Sequence, residues 1–144
     1  MKGFEQQQVY RDSCRLMRLA YDALFCMTNA DRIAYGNDFK QYASRMVALF
    51  VLAWGKRTRR LDLIDEFIGY LSVTQVLFRN MNDRNIIRCR KSIWKDDPET
   101  TAKNPDAIKH EIAEALDRID EGINKWRSAQ ERIRHVDGTG RNPD

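Results

Sequence analysis

Two runs of cationic side chains are the chemistry most readily available to this chain. Lys56, Arg57, Arg59 and Arg60 place four positive charges in five residues, and Arg84, Arg88, Arg90 and Lys91 form a second group further on. Guanidinium forks match the geometry of phosphate oxygens and stack on flat rings, which an ammonium does less well. Phosphate backbones are bound largely by Lys and Arg neutralisation with release of counterions. All eight residues are therefore candidate nucleic-acid-binding positions. The same residues could instead line ordinary solvated faces, and cations in a last helical turn are favoured by about 0.3–1 kcal/mol each through the macrodipole. Tyr10, Tyr21, Trp94 and Trp126 could stack on bases, but Tyr10, Tyr21 and Trp126 fall on apolar stripes, which predicts core positions for them.

Other chemistries lack their residues. His110 and His135 are the two histidines, and neither has a partner at metal-ligand spacing. His110 and Glu114 are four apart but do not extend into the paired patterns of helical metal sites. There is no GxxxxGK[ST], GxGxxG or GxSxG segment. Glu111, Glu114, Asp117, Asp120 and Glu121 read as a solvated helix face. Cys14, Cys26 and Cys89 include no CxxC pair and have no histidine fixed beside them. They read as reduced thiols of a cytoplasmic protein. The expectation is a non-catalytic protein with no metal and no cofactor.

Four amphipathic helices must position the cations. In the first, from Phe4 to about Met27, Tyr10, Cys14, Met17, Tyr21 and Leu24 step by four and three along one face. Thr28–Asp31 is a plausible break, and Gly36-Asn37-Asp38 is a stronger one. The second helix runs from about Asp38 to Trp54, with Gly55 just past its end. Its segment Met46–Trp54 is apolar on every face, more than one small bundle can cover, which predicts contacts between subunits. The third starts near Leu61 and carries Ile64, Ile68, Leu71, Gln75, Phe78 and Met81 inward, continuing to Trp94 with a kink near Asn80–Asp83. After the polar linker from Asp96 to Ala107, Asn104-Pro105-Asp106 is a good helix start. The fourth helix, to about Ile133, shows a stripe of Ile108, Ile112, Leu116, Ile119, Ile123 and Trp126, with Glu114–Arg118 and Glu121–Lys125 as supporting i,i+4 pairs. These elements predict an all-α, up-down-up-down four-helix bundle over residues 1–134, with 135–144 a disordered tail.

Composition agrees. A chain of 144 residues, 42% hydrophobic and 32% charged, fits one packed domain. Its longest apolar run, nine residues, is too short for roughly 30 Å of hydrocarbon, so no membrane role is expected. It opens without an apolar segment ahead of a small-residue cleavage site. The net charge of +4 is unevenly spread. Residues 1–95 hold 17 Lys and Arg against 9 Asp and Glu, whereas residues 96–144 hold 8 against 12. Such asymmetry can steer a polyanion to one surface or match two faces within an oligomer.

Three segments carry a family likeness. One is the opening Phe4, Val9-Tyr10 and Tyr21; another is the basic turn GKRTRR followed by Asp65-Glu66-Phe67-Ile68-Gly69-Tyr70-Leu71-Ser72. The third is Leu116-Asp117-Arg118-Ile119-Asp120-Glu121-Gly122-Ile123-Asn124-Lys125-Trp126. In these, over about residues 4–130, the chain resembles the four-helix-bundle proteins encoded by intervening sequences of bacterial 23S rRNA genes. It also resembles their relatives, the accessory variability determinants (Avd) of diversity-generating retroelements. FVLAWG stands where the intervening-sequence branch usually has NIAEG, and the long linker and Trp126 lean toward the Avd branch. That resemblance implies a homopentameric ring without catalysis of its own. It would associate with a reverse transcriptase and its template RNA in mutagenic reverse transcription, with the eight cations contributing phosphate or protein contacts. The intervening-sequence branch implies instead a self-assembling bundle with no catalytic role.

Overall fold

The computed structural model describes residues 4–88 and 104–137, and every regular element among them is helical. The first helix is Phe4–Leu24, the second Asn37–Gly55, the third Arg60–Asp83 and the fourth Pro105–Asp137. Each packs on two neighbours in the cyclic order one, two, three, four. Neighbours are antiparallel. Arg15 reaches Glu111 and Glu114 while Asp12 meets Arg118, so the first and fourth helices run in opposite senses. Phe39 stacks on Phe78 while Arg60 binds the carbonyl of Ala53, which fixes the same relation between the second and third. The expected up-down bundle is present, and no helix among the described residues is long and apolar enough to cross a membrane.

The fourth helix buries the whole stripe expected of it, Ile108, Ile112, Leu116, Ile119, Ile123 and Trp126. Asn104 caps its start, its side-chain oxygen accepting from the Asp106 amide at 2.7 Å. The helix continues past Ile133 to Asp137, and residues 138–144 of the expected tail lie outside the described residues. The Glu121–Lys125 pair forms at 3.1 Å. The Glu114–Arg118 pair does not, because each residue has an interhelical partner: Glu114 takes Arg15 at 2.8 Å and Arg118 takes Asp12 at 3.2 Å. Hydrogen bonding from Arg15, then its charge, holds the Glu114 carboxyl below the ordinary glutamate value.

The first helix corrects its predicted face. Its buried side is Val9, Asp12, Ser13, Leu16, Leu19, Ala20 and Ala23, whereas Tyr10 and Tyr21 are exposed. Small and polar residues hold this seam because the neighbouring helices approach closely. Asp12 is buried with its carboxylate satisfied by Arg118 Nε and by Gln8 Nε2 at 3.2 Å. Gly122 of the fourth helix faces Val9, and a Cβ there would lie 2.6 Å from Val9 Cγ2. Gly122→Ala is accordingly expected to destabilise by about 1–2 kcal/mol, overpacking outweighing the gain in helix propensity. The urea midpoint measures this, and adding Val9→Ala should remove most of the clash.

Two corrections concern helix ends. The weaker predicted break is the real one: Thr28 Oγ1 accepts from the Asp31 amide at 3.1 Å, starting a helical turn at Asn29–Asp31. The stronger one at Gly36 is no break at all. A π turn over Arg32–Gly36, closed by the Asn37 amide on the Arg32 carbonyl, carries the chain straight into the second helix. Gly36 has ordinary helical angles and is needed for space, since a Cβ would sit 2.6 Å from Leu24 Cδ2 and 2.7 Å from Met27 Sδ. The third helix stops at Asp83 instead of continuing to Trp94. Asn85 adopts φ 50°, its amide bonds the Asn82 carbonyl and the Ile86 amide bonds the Met81 carbonyl, a Schellman ending. Ile86 and Ile87 then turn into the core.

Candidate nucleic-acid interface

The first cationic cluster sits where the second helix hands over to the third. Gly55 ends one helix, Arg57–Arg59 form a 3-10 turn, and Arg60 opens the next. Lys56, Arg57 and Arg59 are exposed, and among the described residues no carboxylate lies within salt-bridge distance of them.

Arg60 behaves differently. Its Nε donates to the Ala53 carbonyl and its Nη2 to the Trp54 carbonyl, each at 2.9 Å. The guanidinium also lies over the Trp126 ring, 5.7 Å from its centroid. One side chain thereby caps the last carbonyls of the second helix and ties the start of the third to the fourth. Burial pushes the Arg60 guanidinium below its ordinary value, and the charge of Arg57 adds to the shift. Arg60→Ala is expected to cost about 1–2 kcal/mol by stranding two carbonyls, read as a lower thermal midpoint. Arg60→Lys, which lacks the fork, should recover only part of it.

Beside this turn the aromatic residues converge. Phe50 is the hub, 5.8 Å from Tyr10, 6.1 Å from Trp54 and 5.3 Å from Trp126, and the two tryptophans are 5.9 Å apart. Phe50 and Trp126 are buried, whereas Trp54 is 46% and Tyr10 42% exposed. Gln7, Tyr10, Phe50, Val51 and Trp54 line a groove of about 270 Å³ between the first and second helices. Of the rings expected in the core, Trp126 is there, but Tyr10 is a groove wall and Tyr21 lies outside, edge-on to Phe25 at 5.3 Å with Lys40 above it. Trp94 lies outside the described residues.

Trp54 and Val51 were not singled out as site residues by spacing. The signal available for them was the excess of apolar residues in Met46–Trp54 over what one helix face can bury. The bundle covers Met46, Leu49, Phe50 and Ala53 and leaves Ala48, Val51, Leu52 and Trp54 outside.

The second cluster lies at the other end of the third helix, about 36 Å away for 24 residues. A helix continuing to Trp94 would have set the two clusters farther apart, but it ends at Asp83. Arg84 is exposed with its guanidinium 5.8 Å from the Tyr35 centroid. Arg88 is exposed, and its backbone amide donates to the Cys26 carbonyl at 3.3 Å. Arg90 and Lys91 lie outside the described residues. The structure thus sets Lys56, Arg57 and Arg59 on the turn that follows Trp54, a wall of the aromatic groove, uses Arg60 as a cap, and leaves Arg84 and Arg88 remote.

Among the described residues no group of three or more His, Cys, Asp or Glu side chains could hold a metal ion. No family model matches the chain, and neither does any curated protein or solved structure searched.

Proposed function

We propose that this protein is a non-catalytic nucleic-acid-binding accessory subunit, of the kind that serves a retroelement reverse transcriptase and its template RNA. The observation that carries the nucleic-acid part is the exposed cluster of Lys56, Arg57 and Arg59 at the end of the bundle, with no carboxylate in salt-bridge distance among the described residues. The partner class rests on the likeness of the basic turn and the segment after it to the family, with the long linker and late Trp126 leaning toward the Avd branch. The cytoplasmic setting rests on three cysteines without a CxxC pair. Equilibrium titration with a structured RNA at two salt concentrations tests the reading. Affinity that falls steeply with salt supports engagement of several phosphates, and affinity indifferent to salt overturns it.

A self-assembling bundle is the second reading, and one observation favours it. Leu52 lies two turns beyond Arg45, whose guanidinium sits 6.0 Å from the Tyr70 centroid, so it shares the side facing the third helix. There Leu52 and, one turn beyond Tyr70, Val73 are each about half exposed. Burying that face between copies, as in a pentameric ring, would complete the second helix's surroundings and multiply the cations at each end. Sedimentation of the protein with Leu52→Glu and Val73→Glu distinguishes the cases: dissociation supports assembly through this face, and an unchanged particle size removes it.

A further inference from the structure

We propose that the groove between Tyr10 and Trp54 is a stacking subsite for one unpaired nucleobase of a single-stranded nucleic acid whose flanking phosphates rest on Lys56, Arg57 and Arg59. The proposal rests on the nucleic-acid reading above and names the form of nucleic acid that it favours. Its walls are two half-exposed rings, and beneath them Phe50 and Trp126 form a buried aromatic floor, so the walls are supported rather than floppy. At about 270 Å³ the groove falls just below the roughly 300–1,000 Å³ of pockets that engulf whole small molecules. That size suits one ring system. Gln7 contributes the single side-chain amide of the lining, a donor and an acceptor for a base edge, and no carboxylate lines the groove.

Charge decides between possible occupants. An apolar protein side chain could also enter, but the three cations begin two residues after Trp54 and lack carboxylate partners among the described residues. Rings and unpaired cations side by side match alternating bases and phosphates. A duplex keeps its base faces stacked inside and could use only the cations. Arg60 strengthens the arrangement by occupying the carbonyl end of the second helix, whose partial negative charge would otherwise face the phosphates.

The test uses the full chain and a labelled, non-self-complementary RNA strand of about a dozen nucleotides, alone and annealed to its complement. Trp54→Ala is expected to weaken single-strand binding by about 5–100-fold, with duplex affinity, salt dependence and sedimentation unchanged. Trp54→Phe should restore most of the loss. Tyr10→Ala gives an independent reading from the other wall, should Trp54→Ala fold poorly by circular dichroism. Single-strand affinity within twofold of the parent in both alanine variants overturns the subsite. So does a loss that accompanies dissociation of an oligomer, which would assign the groove to a protein contact. Neutralising Lys56, Arg57 and Arg59 separates the two levels of the argument. If that weakens both RNA forms while the alanine variants do not, the subsite alone falls; if it weakens neither, the nucleic-acid reading falls with it.

Discussion

Replacement of Lys56, Arg57 and Arg59 together by glutamine is expected to weaken RNA binding by about 10–100-fold near 0.1 M salt and to flatten the dependence of log affinity on log salt by about 2–3. The size follows from counting. Each phosphate neutralised contributes about 0.7 to that slope on a single strand and about 0.9 on a duplex, so three contacts give roughly 2 to 3. Glutamine keeps most of the length and polarity of the side chains, and all three positions are exposed, so folding should be unaffected. Arg60 is left in place because its guanidinium is committed to the carbonyls of Ala53 and Trp54. Glutamine at Arg84 and Arg88, at the far end of the third helix, is the informative comparison. A slope reduced by both sets points to contacts at both ends of the bundle. A slope reduced by the first alone confines binding to the aromatic end, and a slope indifferent to Lys56, Arg57 and Arg59 removes them from the interface.

Trp126→Ala should give the largest loss of stability of any single change in the fourth helix, about 3–5 kcal/mol. Trp126 is 2% exposed, touches Phe50 and Trp54 ring to ring, and carries the Arg60 guanidinium on its face. Truncation opens a void where three helices meet and deprives the Arg60 cap of its support. For a domain of this length the thermal midpoint should drop by roughly 10–15 °C, and urea unfolding should give the same ranking. Trp54→Ala, half in solvent, should cost only about 1 kcal/mol. Equal losses at the two tryptophans would mean that Trp54 is as enclosed in solution as Trp126, as a subunit contact would make it.

How far residues alone revealed this arrangement varied with the neighbours of each helix. The buried face of the fourth helix was legible, because large aliphatic residues recur at helical spacing on one side and charged residues fill the other, whereas its extension to Asp137 and the interhelical partners of Glu114 and Arg118 were not. The first was legible as a helix but not as a face. Its aromatics made the more conspicuous stripe, while the true seam consists of Val9, Ser13, Leu16 and Ala20 with the buried Asp12. Sequence spacing cannot tell that Arg118, 106 positions away, neutralises that carboxylate. Gly36 was misleading for a related reason. Glycine after a helical stretch ordinarily signals a stop, but here it is small so that Leu24 and Met27 can pass close by. The Schellman ending lay in plain view as Asn82, Asp83 and Asn85, and cations further along drew the helix too far.

The basic turn was legible as charge and its division of labour was not. Nothing in KRTRR distinguishes Arg60 from its neighbours, because the distinction lies in the carbonyls of Ala53 and Trp54 and in a ring from the opposite end of the chain. The groove was hinted at only by surplus. A second helix with more apolar residues than one side can hide must show some of them, and the ones shown here flank the cations.

The wide turn at Arg32–Gly36 has a consequence for the evolution of chain length. A π turn holds one residue more than an α turn while keeping the side chains before and after it in register with their partners. Removing one residue from this stretch, such as the exposed Ala34, would let it close into a regular helical turn. Thr28 could still start the helix and Gly36 could still slip past Leu24. The corner between the first two helices is thus a place where related chains can differ by one residue without shifting the groove at the opposite end.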